Sequence, residues 1–530
     1  MRGEVNRVRN FCATLGALVL LLAAPGFGDF PAPNLPGWPA QGLVLSGKVV
    51  RYSSPTIADI DGDLSNGLEV TVGGADGRIY VYRADGSLLW ERTTPALGCA
   101  TASSTERLYA SPAVGALFGD GVPYVVAAYG SFRSGGCDGG VVAFRGSDGT
   151  RAFTFSTKKF ARQMKFQERL HGVYSSPALA DTDGDGRLEI AFGAFDRNVY
   201  LLEHNGSVRW YYNAADTVFS SPTFADVNGD GRLEVLIGTD ISANPRLKPA
   251  TKDGGFVYAL KSEKRAVRRI RFRDSSAYLW QRYLPQVVFS SPVIADVLSS
   301  NPGPEVVIGS GCFFPQRSSA KRGRTIAVLR LTDGAILKKL ATPACLPSSV
   351  AVGDLSGDGR NDIVALVQGS RLLGGPGESR LIAYDLEGST VLWSVVPRVF
   401  GKNEIFSDVN SPVTVDLDGN GSLEVVVANS RGIAIHNGVD GRALHCTTRE
   451  CFGPEPVLLT RDPLRATPAI ADMNLDGLPD IVIGGGQGGR GRLYSWTGFA
   501  ALGSSPGGYP PFSAPWPMWR GAPSHVRVVE

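Results

Sequence analysis

The stretch SSPALADTDGDGRLEIAFG, Ser175 to Gly193, sets Asp181, Asp183, Asp185 and Glu189 at positions 1, 3, 5 and 9 of a short loop, with Gly184 and Gly186 between them. Carboxylates crowded onto one tight turn repel each other unless a hard cation shares them. Calcium takes six to eight oxygen ligands in loosely fixed geometry, which a loop alternating Asp with flexible residues can supply. The apolar run that follows, rich in strand-forming residues, makes the loop a connection between strands.

The pattern recurs five more times. The other copies are Asp59, Asp61, Asp63 and Glu69; Asp226, Asn228, Asp230 and Glu234; Asp354, Ser356, Asp358 and Asp362; Asp416, Asp418, Asn420 and Glu424; and Asp472, Asn474, Asp476 and Asp480. Twenty of the chain's 50 Asp and Glu residues fall in these six loops, so scatter does not explain them. Up to about six calcium sites are expected. An EF-hand needs a Glu at loop position 12, where this chain has Val70, Phe192, Ile237, Ala365, Val427 and Ile483. The first copy, DIDGDLSNGLE, carries two extra residues before Glu69, which makes its spacing irregular. Read without a metal, any one copy is an ordinary Asp/Gly turn.

Working outward, the lead-in recurs as SSPTIADID, YASPAVGAL, YSSPALADT, FSSPTFADV, FSSPVIADV, LPSSVAVGDL, VNSPVTVDL and RATPAIADM, eight units in all. Two of them, GALFGDG with Asp120 and DVLSSNPGPE with Asp296 and Glu305, have lost most of the ligand pattern. Units of about 59 residues hold roughly four strands each, the content of a propeller blade. One such sheet cannot cover both its faces, whereas radial stacking covers each with its neighbours. The sequence therefore predicts an all-β chain forming a single eight-bladed β-propeller of four antiparallel strands per blade, with seven blades as the alternative should one unit be merged. Trp90, Trp210, Trp280 and Trp393 fall in the fourth strands and read as packing between blades. The segment around Trp38 is expected to complete the last blade and close the ring.

The combination of SSPxxAD, DxDGDG and a following apolar strand resembles the FG-GAP or VCBS repeat family, the repeat type of the integrin alpha propeller. The Trp-bearing fourth strands also resemble the repeats of quinoprotein propellers, which have eight blades. The FG-GAP resemblance covers nearly all of the chain after its N-terminal segment. It implies that calcium loops join the first two strands of a blade on one rim, and that partners bind through longer loops on the other.

Residues 1–28, with Arg2, Arg7 and Arg9 before the apolar run Phe11 to Ala24, are expected to be a secretory signal peptide, although an uncleaved anchor is the alternative. Residues 34–525 then form the propeller and 526–530 a short tail. No membrane span is expected in the mature chain. Six cysteines remain, Cys99, Cys137, Cys312, Cys345, Cys446 and Cys451, and sequential disulfides suit an oxidising compartment. A zinc site at His445, Cys446 and Cys451 lacks a CxxC spacing.

A formal net charge of +3 gives no reason to expect nucleic-acid binding. Two local basic clusters, Lys158, Lys159, Arg162, Lys165 and Arg169, and Lys261 to Arg273, are solvated loops or a site for an acidic glycan. Long connections after second strands, YGSFRSGGCDGG, GTDISANPRLKPATKDGG and GSGCFFPQRSSAKRGR, suggest functional surface. The expectation is a secreted, monomeric, calcium-stabilised module for adhesion or binding to an extracellular protein or glycan, with no catalytic residue assigned. The alternative is a propeller enzyme such as a calcium-dependent polysaccharide lyase. The five histidines share no motif, and neither GxSxG nor HExxH occurs.

Overall fold

Eight four-stranded antiparallel units follow one another along the chain and close into an eight-bladed propeller. The computed structural model describes residues 34–529 apart from 49, 51, 100–107, 132–135, 167, 169, 247–249, 265–268, 271, 273, 312–323, 369–378, 397–409, 430–431, 445–457, 488 and 500–527. The signal-peptide segment, Cys312, Cys446 and Cys451 thus lie outside the described residues.

The first strand of each unit is innermost: Thr56–Ala58, Ala113–Gly115, Ala178–Ala180, Thr223–Ala225, Val293–Ala295, Ala351–Gly353, Val413–Val415 and Ala469–Ala471, which number blades 1 to 8. First strands of adjacent blades approach one another around the axis. Second strands are buried on both faces, as in Glu69–Gly73 and Glu189–Gly193. They therefore read as continuous apolar runs rather than alternating ones. The core lies between blades, with aliphatic side chains of one sheet packed on the next.

The serines of the lead-in tie the ring together, and each has a separate task. The first bonds chiefly within its own blade: Ser53, Ser175 and Ser220 Oγ accept from the second-strand N–H groups of Gly73, Gly193 and Gly238, and Ser220 Oγ also donates to Ser290 O of blade 5 at 2.9 Å. The second bonds to the next blade. The N–H of Ser54 donates to Ser111 Oγ, Ser111 to Ser176, Ser176 to Ser221 and Ser221 to Ser291, each at 2.9 Å. Ser349 N–H donates to Ser411 Oγ, Ser411 to Thr467 Oγ1, and Thr467 back to Ser54 Oγ at 3.0 Å. This hydrogen-bonded seam explains why the dipeptide recurs where a loop would tolerate almost anything.

The N-terminal strand Leu43–Val44 pairs with Arg490–Trp496, supplying the outer strand of blade 8 as expected. Trp38 is buried against blade 1, where its Nε1 donates to Ala84 O at 2.8 Å. Trp90, Trp280 and Trp393 do the same to Gly146, Leu331 and Gly438 of the following blades. Lys338 takes that role in blade 5, donating to Leu386 O and Glu387 O. The residues read as a short tail do more than trail: Val528–Val529 pairs in parallel with the innermost strand of blade 5.

Cys99 and Cys137 form a disulfide, and Cys345 is also disulfide-bonded. Among the described residues the only α-helix is Thr157–Gln163, which carries Lys158, Lys159 and Arg162 of the first basic cluster. No helix among them is long and apolar enough to cross a membrane.

Candidate metal centre

Each acidic loop joins the innermost strand of its blade to the second, so the loops share one rim of the ring. Connections from second to third strand leave from the opposite end and reach the other rim. The turn is built by the position-1 aspartate. Asp181 Oδ1 accepts from Gly184 N–H at 2.7 Å and Oδ2 from Gly186 N–H at 2.8 Å. Both glycines have left-handed backbone, φ +78° and +81°, which residues with a Cβ adopt only at a cost. Asp226, Asp354, Asp416 and Asp472 curl their loops in the same way. In blade 1 the two extra residues are absorbed by a 3-10 turn, Leu64–Asn66, so Glu69 still reaches its place.

Three loops bring three carboxylates together, with ligand atoms within 4.8 Å of one another: Asp59, Asp61 and Glu69; Asp181, Asp183 and Glu189; and Asp416, Asp418 and Glu424. These are loop positions 1, 3 and the final Glu, the groups that can hold a metal ion. Asn228, Ser356 and Asn474 stand at position 3 in the other three loops and supply a neutral oxygen instead. The position-5 residues Asp63, Asp185, Asp230, Asp358, Asn420 and Asp476 are not among the converging carboxylates. Their side chains accept from the backbone two residues on, as Asp185 does from Arg187 N–H at 2.9 Å and Asp358 from Arg360 N–H at 3.0 Å.

The final carboxylate is buried in every loop, joined in blade 7 by Asp416. One oxygen accepts from the backbone at loop position 2: Ile60 to Glu69, Thr182 to Glu189, Val227 to Glu234, Leu355 to Asp362, Leu417 to Glu424 and Met473 to Asp480. The other oxygen distinguishes the blades. Oε1 of Glu69 and of Glu424, and Oδ1 of Asp480 in blade 8, are buried with no hydrogen-bond partner, and all three residues are 0% exposed. Of the three, Glu69 and Glu424 belong to loops that bring three carboxylates together. An unpartnered buried carboxylate oxygen facing two more carboxylates is costly. A cation at that point would remove the cost, so the donor set fits a divalent ion held by Asp59, Asp61 and Glu69 or by Asp416, Asp418 and Glu424. Burial pushes Glu69 up to about 7 and Glu424 to about 8, with Asp61 and Asp59, or Asp418 and Asp416, adding repulsion. Glu234 and Asp480 are also pushed up to about 7, chiefly by burial.

Blades 3 and 5 answer the same need from within the chain. In blade 5, whose loop has decayed, Asn301 Nδ2 donates to Glu305 Oε1 at 2.7 Å. In blade 3 Arg209 Nη2 lies 3.1 Å from Glu189 Oε1, an ion pair without hydrogen-bond alignment, and 2.8 Å from Asp183 Oδ2. Nothing in the acidic loop's own residues points to Arg209. Its signal is the contrast between SVRWYY and SLLWE, where Arg209 replaces Leu89 just before the tryptophan.

Comparison with known proteins places this loop. A family model described as an FG-GAP-like repeat matches residues 181–237. The chain carries an FG-GAP-like repeat. Those residues run from the acidic loop of blade 3 through the loop of blade 4 and into its second strand, Glu234–Ile241. Among curated proteins nothing matches. The fold is similar to that of the quinohemoprotein alcohol dehydrogenase from Comamonas testosteroni, at TM-score 0.54 and 12% identity over 88% of this chain and 77% of that one. It is similar to the quinohemoprotein alcohol dehydrogenase ADHIIG from Pseudomonas putida HK5, at 0.50 and 13% over 90% and 78%. Saccharomyces cerevisiae Sqt1 is also similar, at 0.50 and 12% over 86% and 98%. Likeness at these identities concerns the propeller fold alone.

On the opposite rim an aromatic crescent lines the inner edge of five successive blades. Tyr52 and Tyr109 stack at 4.8 Å, Tyr109 and Tyr174 at 3.9 Å, and Phe219 lies 4.7 Å from Phe289. Tyr174 and Phe219 are linked through Phe195, 4.6 and 4.7 Å from them. Tyr109, Tyr174 and Phe219 are partly exposed. The crescent stops at blade 6, where Pro347 takes the place of the aromatic residue. His171, His204 and His436 lie in different parts of the ring and do not converge, while His445 and His525 fall outside the described residues.

Proposed function

We propose that the chain is a secreted propeller stabilised by calcium along one rim, and that it binds an extracellular protein or glycan through the other. One observation supports the calcium reading above all: the buried, unpartnered Oε1 atoms of Glu69 and Glu424, each facing two further carboxylates. Hard oxygen donors of this kind suit calcium, with backbone carbonyls and water completing the shell. The loops of blades 4, 6 and 8 offer a weaker set, one carboxylate short. The binding reading rests on the crescent and on the long second-to-third-strand connections of blades 2, 4 and 5, which leave the same rim. Partly exposed aromatic faces suit the apolar face of a sugar ring or a protein side chain. Secretion accords with the disulfides.

The test is an array of glycans and extracellular proteins probed with the full chain, with and without calcium, beside the Tyr109→Ala and Phe219→Ala variants. Calcium-dependent binding that either variant weakens at least tenfold is expected. Binding that ignores both variants would move the ligand to another surface. A melting temperature that does not change on chelation would remove the calcium.

A further inference from the structure

The acidic loop of blade 3 is the closest match to the calcium motif, and it is also the loop into which the chain sends a positive charge. Arg209 sits in the outer strand Val208–Asn213, where the pairing register skips between Leu201 and Leu202, so Arg209 is the residue left out of the ladder. A bulge of this kind re-aims a side chain. The same skip occurs in blades 1, 2, 4, 5 and 6, and the residue left out there is Leu89, Ala152, Leu279, Leu337 or Leu392. An apolar residue is thus the rule at this point, and Arg209 departs from it.

The arginine is placed as a bound cation would be. Its side chain is 4% exposed, and Nη2 lies 2.8 Å from Asp183 Oδ2, 3.1 Å from Glu189 Oε1 and 2.9 Å from Glu203 Oε2. Nη1 donates to Thr182 Oγ1 at 3.0 Å. Two of the three converging carboxylates of the loop therefore share one guanidinium nitrogen. Glu203 stands at the end of the third strand, where the matching residue of blade 1 is Arg83. Blade 3 has thus gained an arginine together with a carboxylate to hold it from outside the loop. Lys264, 3.2 Å from Glu203 Oε1, secures the far side of that carboxylate.

We infer that Arg209 is the resident cation of the blade 3 loop, so that this site is closed to calcium while the loops of blades 1 and 7 remain open to it. A metal ion and the guanidinium cannot both serve Asp183 and Glu189, because each needs the same oxygens and like charges so close repel. The guanidinium never loses its charge and holds both loop carboxylates through Nη2, which makes it a permanent substitute for a dissociable ion. Close agreement with the acidic motif then marks a loop that needs no metal. This inference rests on the calcium reading for its contrast between blades, though not for the geometry of Arg209.

The test counts calcium bound per full-length chain after equilibrium dialysis, in the wild type, in Arg209→Met and in Leu89→Arg. Arg209→Met should bind one calcium more than the wild type, and its melting temperature in chelator should fall and recover with added calcium. Leu89→Arg, which brings the charge to blade 1, should bind one fewer. An unchanged count in Arg209→Met overturns the inference. Should that variant fail to fold, the count in Leu89→Arg decides, and no loss of calcium there overturns it. A wild type that binds no calcium defeats the reading of blades 1 and 7, yet a gain of one ion in Arg209→Met would still uphold the arginine as the occupant of blade 3.

Discussion

Blades 3 and 7 carry nearly the same loop and meet the same electrostatic demand in opposite ways. Both curl around a position-1 aspartate and bury a glutamate whose inner oxygen accepts from the backbone. In blade 7 the outer oxygen of Glu424 has no partner in the protein, whereas in blade 3 that of Glu189 faces Arg209. Blade 5 adds a third solution, the neutral amide of Asn301. The buried carboxylate at the end of the loop is thus the constant feature, and what satisfies it varies from blade to blade. A ligand pattern in sequence reports the demand for positive charge without saying who supplies it.

The largest expected effect sharpens that contrast. Chelation should destabilise the wild type by about 3 kcal/mol for each site that was loaded at a hundredfold excess over its dissociation constant. Calorimetric scans with and without chelator measure it. Limited proteolysis in chelator should then cut first at blades 1 and 7 and spare blade 3.

Next comes Arg209→Met, which leaves Asp183 and Glu189 without their cation and Glu203 with Lys264 alone. Removing one partner of a buried ion pair costs about 3–5 kcal/mol. Denaturant unfolding in chelator should show a loss of that size. A loss under 1 kcal/mol would make blade 3 no different from an exposed ion pair.

A third prediction uses the other rim of blade 3, where a buried carboxylate lacks a cation. Asp196 is fully buried, accepts from Tyr200 OH at 2.5 Å and from Asn198 N–H, and is pushed up to about 7 by burial. A carboxyl raised in the folded state contributes stability below its unfolded pKa and loses it as pH rises through the folded value. Stability attributable to Asp196 should therefore decline by roughly 3–4 kcal/mol between about pH 4 and pH 7. Unfolding curves across that range should be flatter in Asp196→Asn; an unchanged slope would mean that the carboxyl is ionised despite its burial.

Smaller effects serve as controls. Ser111→Ala removes one link of the inner seam and should cost about 1 kcal/mol whether or not calcium is present. Leu475 holds the turn position of the blade 8 loop at φ +58°, where the other loops have glycine, and its side chain is exposed. Leu475→Gly should raise stability by about 1 kcal/mol through relief of backbone strain. A loss there would show that the leucine packs against something in solution.

Much of this was legible in the chain itself. Eight recurrences of one lead-in fixed the blade count, because each strand set needs a neighbour on either face. The alternation of Asp with Gly marked the loops, because only a curled turn brings such residues into register. The segment around Trp38 is expected to complete the last blade because a ring must pair its free edge, and Leu43–Val44 of that segment does so while Trp38 itself packs on blade 1. The roles of the two serines in SSP were not legible, since their partners lie in the second strand and in the next blade, 57 residues away for Ser54 and Ser111.

Sequence alone determined the repeat, the closure and the identity of the acidic residues, because those follow from local spacing and from the need of every sheet to be covered. Tertiary structure decided which carboxylates are left wanting a cation. That depends on what a distant strand aims at them, and a register skip that turns Arg209 inward in one blade and a leucine in another leaves no trace in the loop's own residues.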